Sequence, residues 1–244
     1  MRALWKMTIV EAKLFLREPA AVFFTLAFPI MVLLLFGSIF GGYPIPGTDL
    51  KSIDLYAPAL TAMVIGTVGL IGLPTTVASY RETGALRRLR ATPLRPSTIL
   101  GAQVIVNLLM TMLGIALLIA TARLVFEIKM PDDPLFVAAA LIFSSLSFFA
   151  AGFALAGLLP TVRVASAVGQ ALFLPMLFLS GAAMPREELP DALLRVSDFL
   201  PLTHVVNLIQ DLWIGEGWNW PAATVLIGLL AAAIIVSTRT FRWE

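Results

Sequence analysis

Five arginines crowd the stretch Ser79 to Ser97, which reads SYRETGALRRLRATPLRPS: Arg81, Arg87, Arg88, Arg90 and Arg95, with Glu82 as the only acid. Such a patch has two chemical uses. It pairs with carboxylates on a protein, or it touches anionic lipid headgroups at about 1 kcal/mol per residue, and charge alone does not choose between them. The internal GALRRLRA pattern suits a short helix lying along a membrane and presenting its charge to water.

Other candidate groups are sparser. Gln103, Asn107, Thr111 and Gly114 recur at helical spacing on one face, and Gln170 lies further on. They suit a translocation path or a subunit interface, and equally interhelical hydrogen bonds worth roughly 0.6 to 2 kcal/mol each, the favoured reading. Ser180-Gly181 and the single histidine, His204, raise a nucleophile and base pair. Phe178, however, stands where a Gly-x-Ser-Gly nucleophile motif wants glycine, and His204 falls in a polar segment. With no cysteine and one histidine, a metal centre has too few ligands. No Gly-x-x-x-x-Gly-Lys-Ser/Thr run occurs, so the phosphate-cradling loop of a conventional ATPase is missing from this sequence.

The elements that position these residues follow from composition. At 59% hydrophobic and 13% charged residues, the chain is too apolar for a soluble domain, where charge is nearer a quarter. A bilayer core takes about 20 apolar residues per helix. Six charge-free intervals of that length predict an all-α integral membrane protein with spans near residues 20–40, 56–78, 99–122, 135–158, 164–184 and 221–239. Backbone amides in lipid must pair internally, which leaves helix as the spanning structure where strand alternation is lacking. We expect one transmembrane domain over residues 1–244, without repeats or linkers.

Lysine and arginine near helix ends set orientation. With the N-terminus cytoplasmic, the inside segments carry Arg2, Lys6, Lys13, Arg17, Arg81, Arg87, Arg88, Arg90, Arg95, Arg163, Arg239 and Arg242. The outside ones carry Lys51, Arg123, Lys129, Arg186 and Arg195. Both termini are therefore expected in the cytoplasm. The first 18 residues are broken by Glu11, Lys13, Arg17 and Glu18, unlike a signal peptide, and predict an amphipathic interfacial helix with Leu4, Trp5, Ile9, Ala12, Phe15 and Leu16 on one face. Between spans 5 and 6, Asp191 to Leu200 and Thr203 to Trp213 predict two short amphipathic helices on or dipping into the outer leaflet, with Trp213, Trp218 and Trp220 as an aromatic anchor. Gly66, Gly69 and Gly72 predict close packing of span 2. Pro29, Pro74 and Pro175 predict kinks, and Arg123 with Glu127 an i,i+4 pair.

Tyr80-Arg81-Glu82-Thr83-Gly84-Ala85-Leu86 and the later Thr92-Pro93-Leu94 resemble the Glu-Arg-Glu-x-Gly-Thr-Leu…Thr-Pro-Leu stretch of ABC-2 type transporter permeases, and the position after span 2 also fits. Arg17-Glu18-Pro19, Leu179-Ser180-Gly181-Ala182-Ala183-Met184-Pro185 and Leu200-Pro201-Leu202-Thr203 extend the likeness over nearly the whole chain, closest to the drug and antibiotic exporters. Tyr80 departs from it, standing where the family often has glutamate. The resemblance implies a homodimer or heterodimer of permeases in the cell membrane, working with two ATP-binding subunits that carry ATP and Mg. It also implies a coupling helix between spans 2 and 3 that docks those subunits through Arg81, Glu82, Gly84, Leu86, Arg87, Arg88, Leu89 and Arg90. No nucleic acid partner is implied. Phe-, Leu- and Met-rich spans lean towards a hydrophobic or amphipathic cargo such as a drug, antibiotic or lipid. The alternatives are a secondary transporter or channel, against which the uncharged span cores argue, and an intramembrane serine protease using Ser180 and His204.

Overall fold

The computed structural model describes residues 2–45, 49–85, 96–183, 186 and 189–240. Nine helices carry the described fold: α1 Arg2–Leu16, α2 Pro19–Phe40, α3 Ser52–Glu82, α4 Pro96–Phe126, α5 Pro134–Leu158, α6 Val162–Leu179, α7 Asp191–Ser197, α8 Pro201–Trp213 and α9 Trp220–Thr240. Among the described residues six helices (α2, α3, α4, α5, α6 and α9) are long and apolar enough to cross a membrane. Residues 86–95, most of the expected coupling helix, lie outside the described residues.

Apolar burial assigns α3 the centre. In its apolar window 78% of residues are buried, against 22% to 50% in the other five. Four of those, α2, α4, α5 and α6, pack against it together with the short α8, while α9 packs on α5 and α8; large side chains such as Leu35, Leu124, Leu135 and Phe178 point outward, an arrangement that costs nothing where the solvent is hydrocarbon. Close approach to α3 is bought with glycine, and the stripe expected there is real at two of its three positions. A Cβ on Gly69 would lie 2.8 Å from Phe148 Cβ, and one on Gly66 would lie 2.7 Å from the Phe173 ring, whereas Gly72 has room.

Two prolines explain where the helices depart from α geometry. Residues Phe23–Ala27 and Thr67–Gly72 are π-helical, and Pro29 and Pro74 follow each directly. Proline lacks the N–H that a regular turn would deliver four residues back, namely to Thr25 and Leu70, and a wide turn is one accommodation. Both carbonyls abut a glycine on a neighbouring helix, Thr25 O facing Gly114 of α4 and Leu70 O facing Gly169 of α6, while Gly69 O faces Gly152 of α5. Only a residue without Cβ admits such contacts.

Element boundaries moved most where polar groups help. α3 begins at Ser52, because Asp54 in its first turn accepts from the Lys51 backbone N–H at 2.8 Å, the anion-favouring position of a helix start. α6 stops at Leu179, five residues early, where Gly181 takes φ +91° and turns the chain. Arg123 does not pair with the Glu127 carboxylate. Its guanidinium donates instead to backbone oxygens, Ile128 O at 2.7 Å and Glu127 O at 3.4 Å.

The segment between α6 and α9 forms the two expected helices, α7 and α8, bent by 89° to one another. α8 inserts its apolar face (Leu202, Val205, Val206, Ile209) against α3. Trp213 is buried at 5% exposure and donates from Nε1 to Lys129 O at 2.9 Å, so it fastens the interior and leaves the aromatic anchor to Trp218 and Trp220, whose rings lie 6.2 Å apart.

Candidate functional site

The basic loop leaves the bundle at the end of α3, and the geometry there is well defined. Thr83 N–H donates to Ser79 O at 2.9 Å and Gly84 N–H to Arg81 O at 3.1 Å, so the helix closes before Gly84 turns the chain out with φ +66°. Glycine is the residue that adopts this left-handed conformation without a Cβ penalty.

Arg81 and Glu82, the last two residues of α3, reach across to the turn between α5 and α6. Arg81 donates through Nη1 to Leu159 O and through Nη2 to Ala156 O, both at 2.9 Å. Glu82 Oε1 accepts the Val162 N–H at 2.9 Å. The cation thus meets the carbonyls that end α5 and the anion meets an amide that starts α6, each at the helix pole that favours its sign. Thr161 completes the start of α6 by accepting Val164 N–H at 3.3 Å. Above this contact Leu73, Val77, Phe149, Phe153 and Ala156 form a small apolar cluster between α3 and α5.

On its other side the root of the loop touches α1. Tyr80 Oη donates to Glu11 Oε2 at 2.6 Å, and Gln103 of α4 adjoins Tyr80. Glu11 is 5% exposed. Burial pushes its carboxyl above the usual carboxylate range, partly offset by the Tyr80 hydrogen bond. The buried side of α1 is therefore Thr8 and Glu11 against α4, while Trp5, Val10, Leu14 and Leu16 are exposed. The sequence reading put Trp5 and Leu16 on the apolar face and missed Glu11, whose signal was an acid four residues from Phe15 on the packed side of an otherwise basic helix.

Leu86, Arg87, Arg88, Leu89 and Arg90 lie outside the described residues. Of the polar span residues, Gln103 and Thr111 are buried inside the chain, and Asn107 donates to Gln103 O at 2.9 Å. Gln170 sits apart on the exposed face of α6, bonded to Ser166 Oγ at 2.9 Å. Ser180 and His204 make separate bonds. The Ser180 hydroxyl is buried and accepts Ala182 N–H at 3.3 Å, whereas His204 Nε2 bonds Asp198 O at 2.9 Å. Among the described residues no group of three or more His, Cys, Asp or Glu is placed to hold a metal ion.

Six apolar helices, one of them buried at the centre with an arginine-rich stretch of sequence following its end, define a multi-pass membrane protein. Residues 2–213 match the ABC-2 type transporter family, and the chain belongs to that family. It is 24% identical over 239 residues to a Bacillus subtilis (strain 168) protein named as a transport permease, YvfS, covering 97% of this chain and 96% of that one. Shorter stretches are similar to Nodulation protein J. In Rhizobium leguminosarum bv. viciae the identity is 35% over 95 residues, 38% of this chain and 35% of that protein. In Neorhizobium galegae it is 29% over 123 residues, 50% and 45% of the two chains. Membership implies a membrane permease that works with an ABC ATP-binding partner.

Proposed function

We propose that this chain is the transmembrane domain of an ATP-driven exporter, docking a separate ATP-binding subunit through the part of the loop Ser79 to Ser97 that follows Gly84, since Arg81 and Glu82 are held by the bundle, and moving a hydrophobic or amphipathic cargo outward. The observation that carries it is the basic loop at the root of the central helix in an ABC-2 chain that holds no Gly-x-x-x-x-Gly-Lys-Ser/Thr sequence of its own. Motion delivered to that loop enters the bundle at α3, the most buried of the spans, against which α2, α4, α5, α6 and α8 pack. Arg87, Arg88 and Arg90 pair with acidic groups of the docking cleft, Leu86 and Leu89 fill it, and Gly84 sets the exit angle of the loop. Two ATP-binding subunits, which hold ATP and Mg, serve two permeases, and both termini face the cytoplasm of the cell membrane. Gln170, exposed on α6, is the polar span residue best placed to meet cargo or a second permease; Gln103, Asn107 and Thr111 serve α4 packing instead.

The test is copurification in nanodiscs with an ABC ATP-binding subunit from the same genome, the one encoded beside this chain where there is one. The wild type brings the subunit down and changes its ATP hydrolysis rate, and Arg87→Glu with Arg88→Glu abolishes both. Undiminished capture by the reversed loop would sink the docking assignment. Lack of any ATPase association would move a secondary transporter or channel to the front.

A further inference from the structure

We propose that Arg81 and Glu82 are positioning residues that make the α5–α6 turn a second arm of the docking loop, so that a stroke received by the loop moves α3, α5 and α6 together. The inference rests on the function proposed above and concerns how the stroke leaves the loop once the ATPase is bound. Three observations carry it. First, both side chains are engaged by the bundle: the Arg81 guanidinium with Ala156 O and Leu159 O, the Glu82 carboxylate with Val162 N–H, each at 2.9 Å. Second, the charges are ordered to match the two helix poles they meet, which a pair serving a protein partner would not need. Third, the bonds lie only two residues before Gly84, with the intervening turn closed by Thr83 N–H to Ser79 O and Gly84 N–H to Arg81 O. The loop cannot shift relative to α3 at this point without carrying Arg81 and Glu82, and they cannot shift without pulling the turn Leu159-Pro160-Thr161 or breaking three hydrogen bonds.

The apolar contact behind the staple makes the link stiff. Leu73 and Val77 of α3 interlock with Phe149, Phe153 and Ala156 of α5, so the staple lies at the edge of a packed surface. Packed surfaces and satisfied charge-assisted bonds transmit displacement because neither deforms continuously.

The charge order provides a sharp control. If Arg81 and Glu82 acted as an ion pair, or only lent charge to a docking face, exchanging them would be nearly silent. Against helix poles, Arg81→Glu with Glu82→Arg puts an anion on the carbonyl end of α5 and a cation on the amide end of α6.

The experiment is amide hydrogen exchange on the nanodisc complex with the ATP-binding subunit, comparing the nucleotide-free state with ADP and vanadate. In the wild type, exchange at residues 159–164 changes on trapping. Arg81→Ala and Glu82→Ala still capture the subunit but lose that nucleotide-dependent change, and Glu82→Ala speeds basal exchange at Val162 by roughly ten-fold or more, the worth of a hydrogen bond to a charged group. Glu82→Gln, which keeps an acceptor oxygen, restores the nucleotide response; the exchanged pair does not. Loss of capture in Arg81→Ala would return the residue to the docking face and overturn the proposal, as would an unchanged nucleotide response in both alanine variants. If the wild type captures no ATPase, the underlying function fails before any substitution is made, and the transmission role falls with it.

Discussion

A carboxyl buried beside a tyrosine, with its basic neighbours turned away to the exposed side of the same helix, is the least expected feature at the residue scale. The pair is Tyr80 at the end of α3, whose hydroxyl donates at 2.6 Å, and Glu11 of α1, whose carboxyl accepts. Its pKa is raised above the ordinary 4.5, burial being the larger cause and the Tyr80 hydrogen bond opposing it. The sign follows from linkage. The unfolded chain releases this proton more readily than the folded one, so Glu11 costs no stability below 4.5 and a growing amount as pH climbs through its folded value. Glu11→Gln keeps an oxygen to accept the Tyr80 hydroxyl and removes the charge. Its thermal midpoint in detergent should equal the wild type below pH 4.5 and exceed it at pH 8; parallel pH curves would refute the assignment. Glu11→Ala takes the carboxyl acceptor from the half-buried Tyr80 hydroxyl and should lower the midpoint more below pH 4.5 than at pH 8, where it also removes the buried charge. At the opposite end, Asp54 plays a simpler part. It is 4% exposed and accepts both Lys51 N–H and Lys129 N–H at 2.8 Å, joining the start of α3 to the loop after α4. Asp54→Ala leaves two backbone donors bereft and should lower the thermal midpoint, while Asp54→Asn, which keeps one carbonyl oxygen, should lower it less.

Between elements, contact is made where proline and glycine coincide. Pro74 takes away the donor that Leu70 O would otherwise have, and Gly169 of α6 lies against that oxygen; Pro29 does the same to Thr25 O, and Gly114 of α4 lies against it, where a Cβ would come within 2.6 Å. Weak Cα–H···O contacts of about 0.5 to 1 kcal/mol each stabilise such close approaches. Gly169→Ala forces a methyl onto Leu70 O and the Ile71 backbone, and overpacking of that kind costs about 1 to 3 kcal/mol. Gly228→Ala meets nothing within 4 Å and, inside helix α9, should be neutral or stabilising by up to about 1 kcal/mol. Thermal midpoints of the two variants measured side by side would check the pair, and equal shifts would refute the packing account. Much of this level was legible beforehand. The span count, the two helices after α6 and the glycine stripe of α3 follow from apolar run length and residue size. What was not legible is partner choice: no one-dimensional pattern says that Arg81 meets the end of α5, that Glu11 faces α4, or that Trp213 turns inward to Lys129 O, because each depends on which helices become neighbours. Boundaries failed for a related reason, since Asp54 reads as a loop acid until it is seen serving the first turn of a helix.

For the whole molecule, the orientation expected from charge makes a prediction that the arrangement of helices renders testable. An even number of spans puts α1 and the end of α9 on the same side, and the staple at Arg81 and Glu82 lies on that side too, since α3 and α5 both run towards it. The arginine-rich loop leaves from there, and lysine or arginine in short loops beside span ends is retained in the cytoplasm. The far side holds Asp54, Asp132, Asp133, Asp191, Asp198 and Asp211, acids that take little part in setting topology but leave that face short of retained positive charge. Because the chain has no cysteine, single cysteines report the side without background. Glu18 and Arg163 are exposed at the staple end, and Asp132 and Gly42 at the far end. In intact cells a membrane-impermeant maleimide should therefore label Asp132→Cys and Gly42→Cys and spare Glu18→Cys and Arg163→Cys until the membrane is opened. The reverse pattern would place the basic loop outside, out of reach of any ATP-hydrolysing partner. Labelling of all four sites in intact cells would mean that the bundle does not separate two compartments as six spans require.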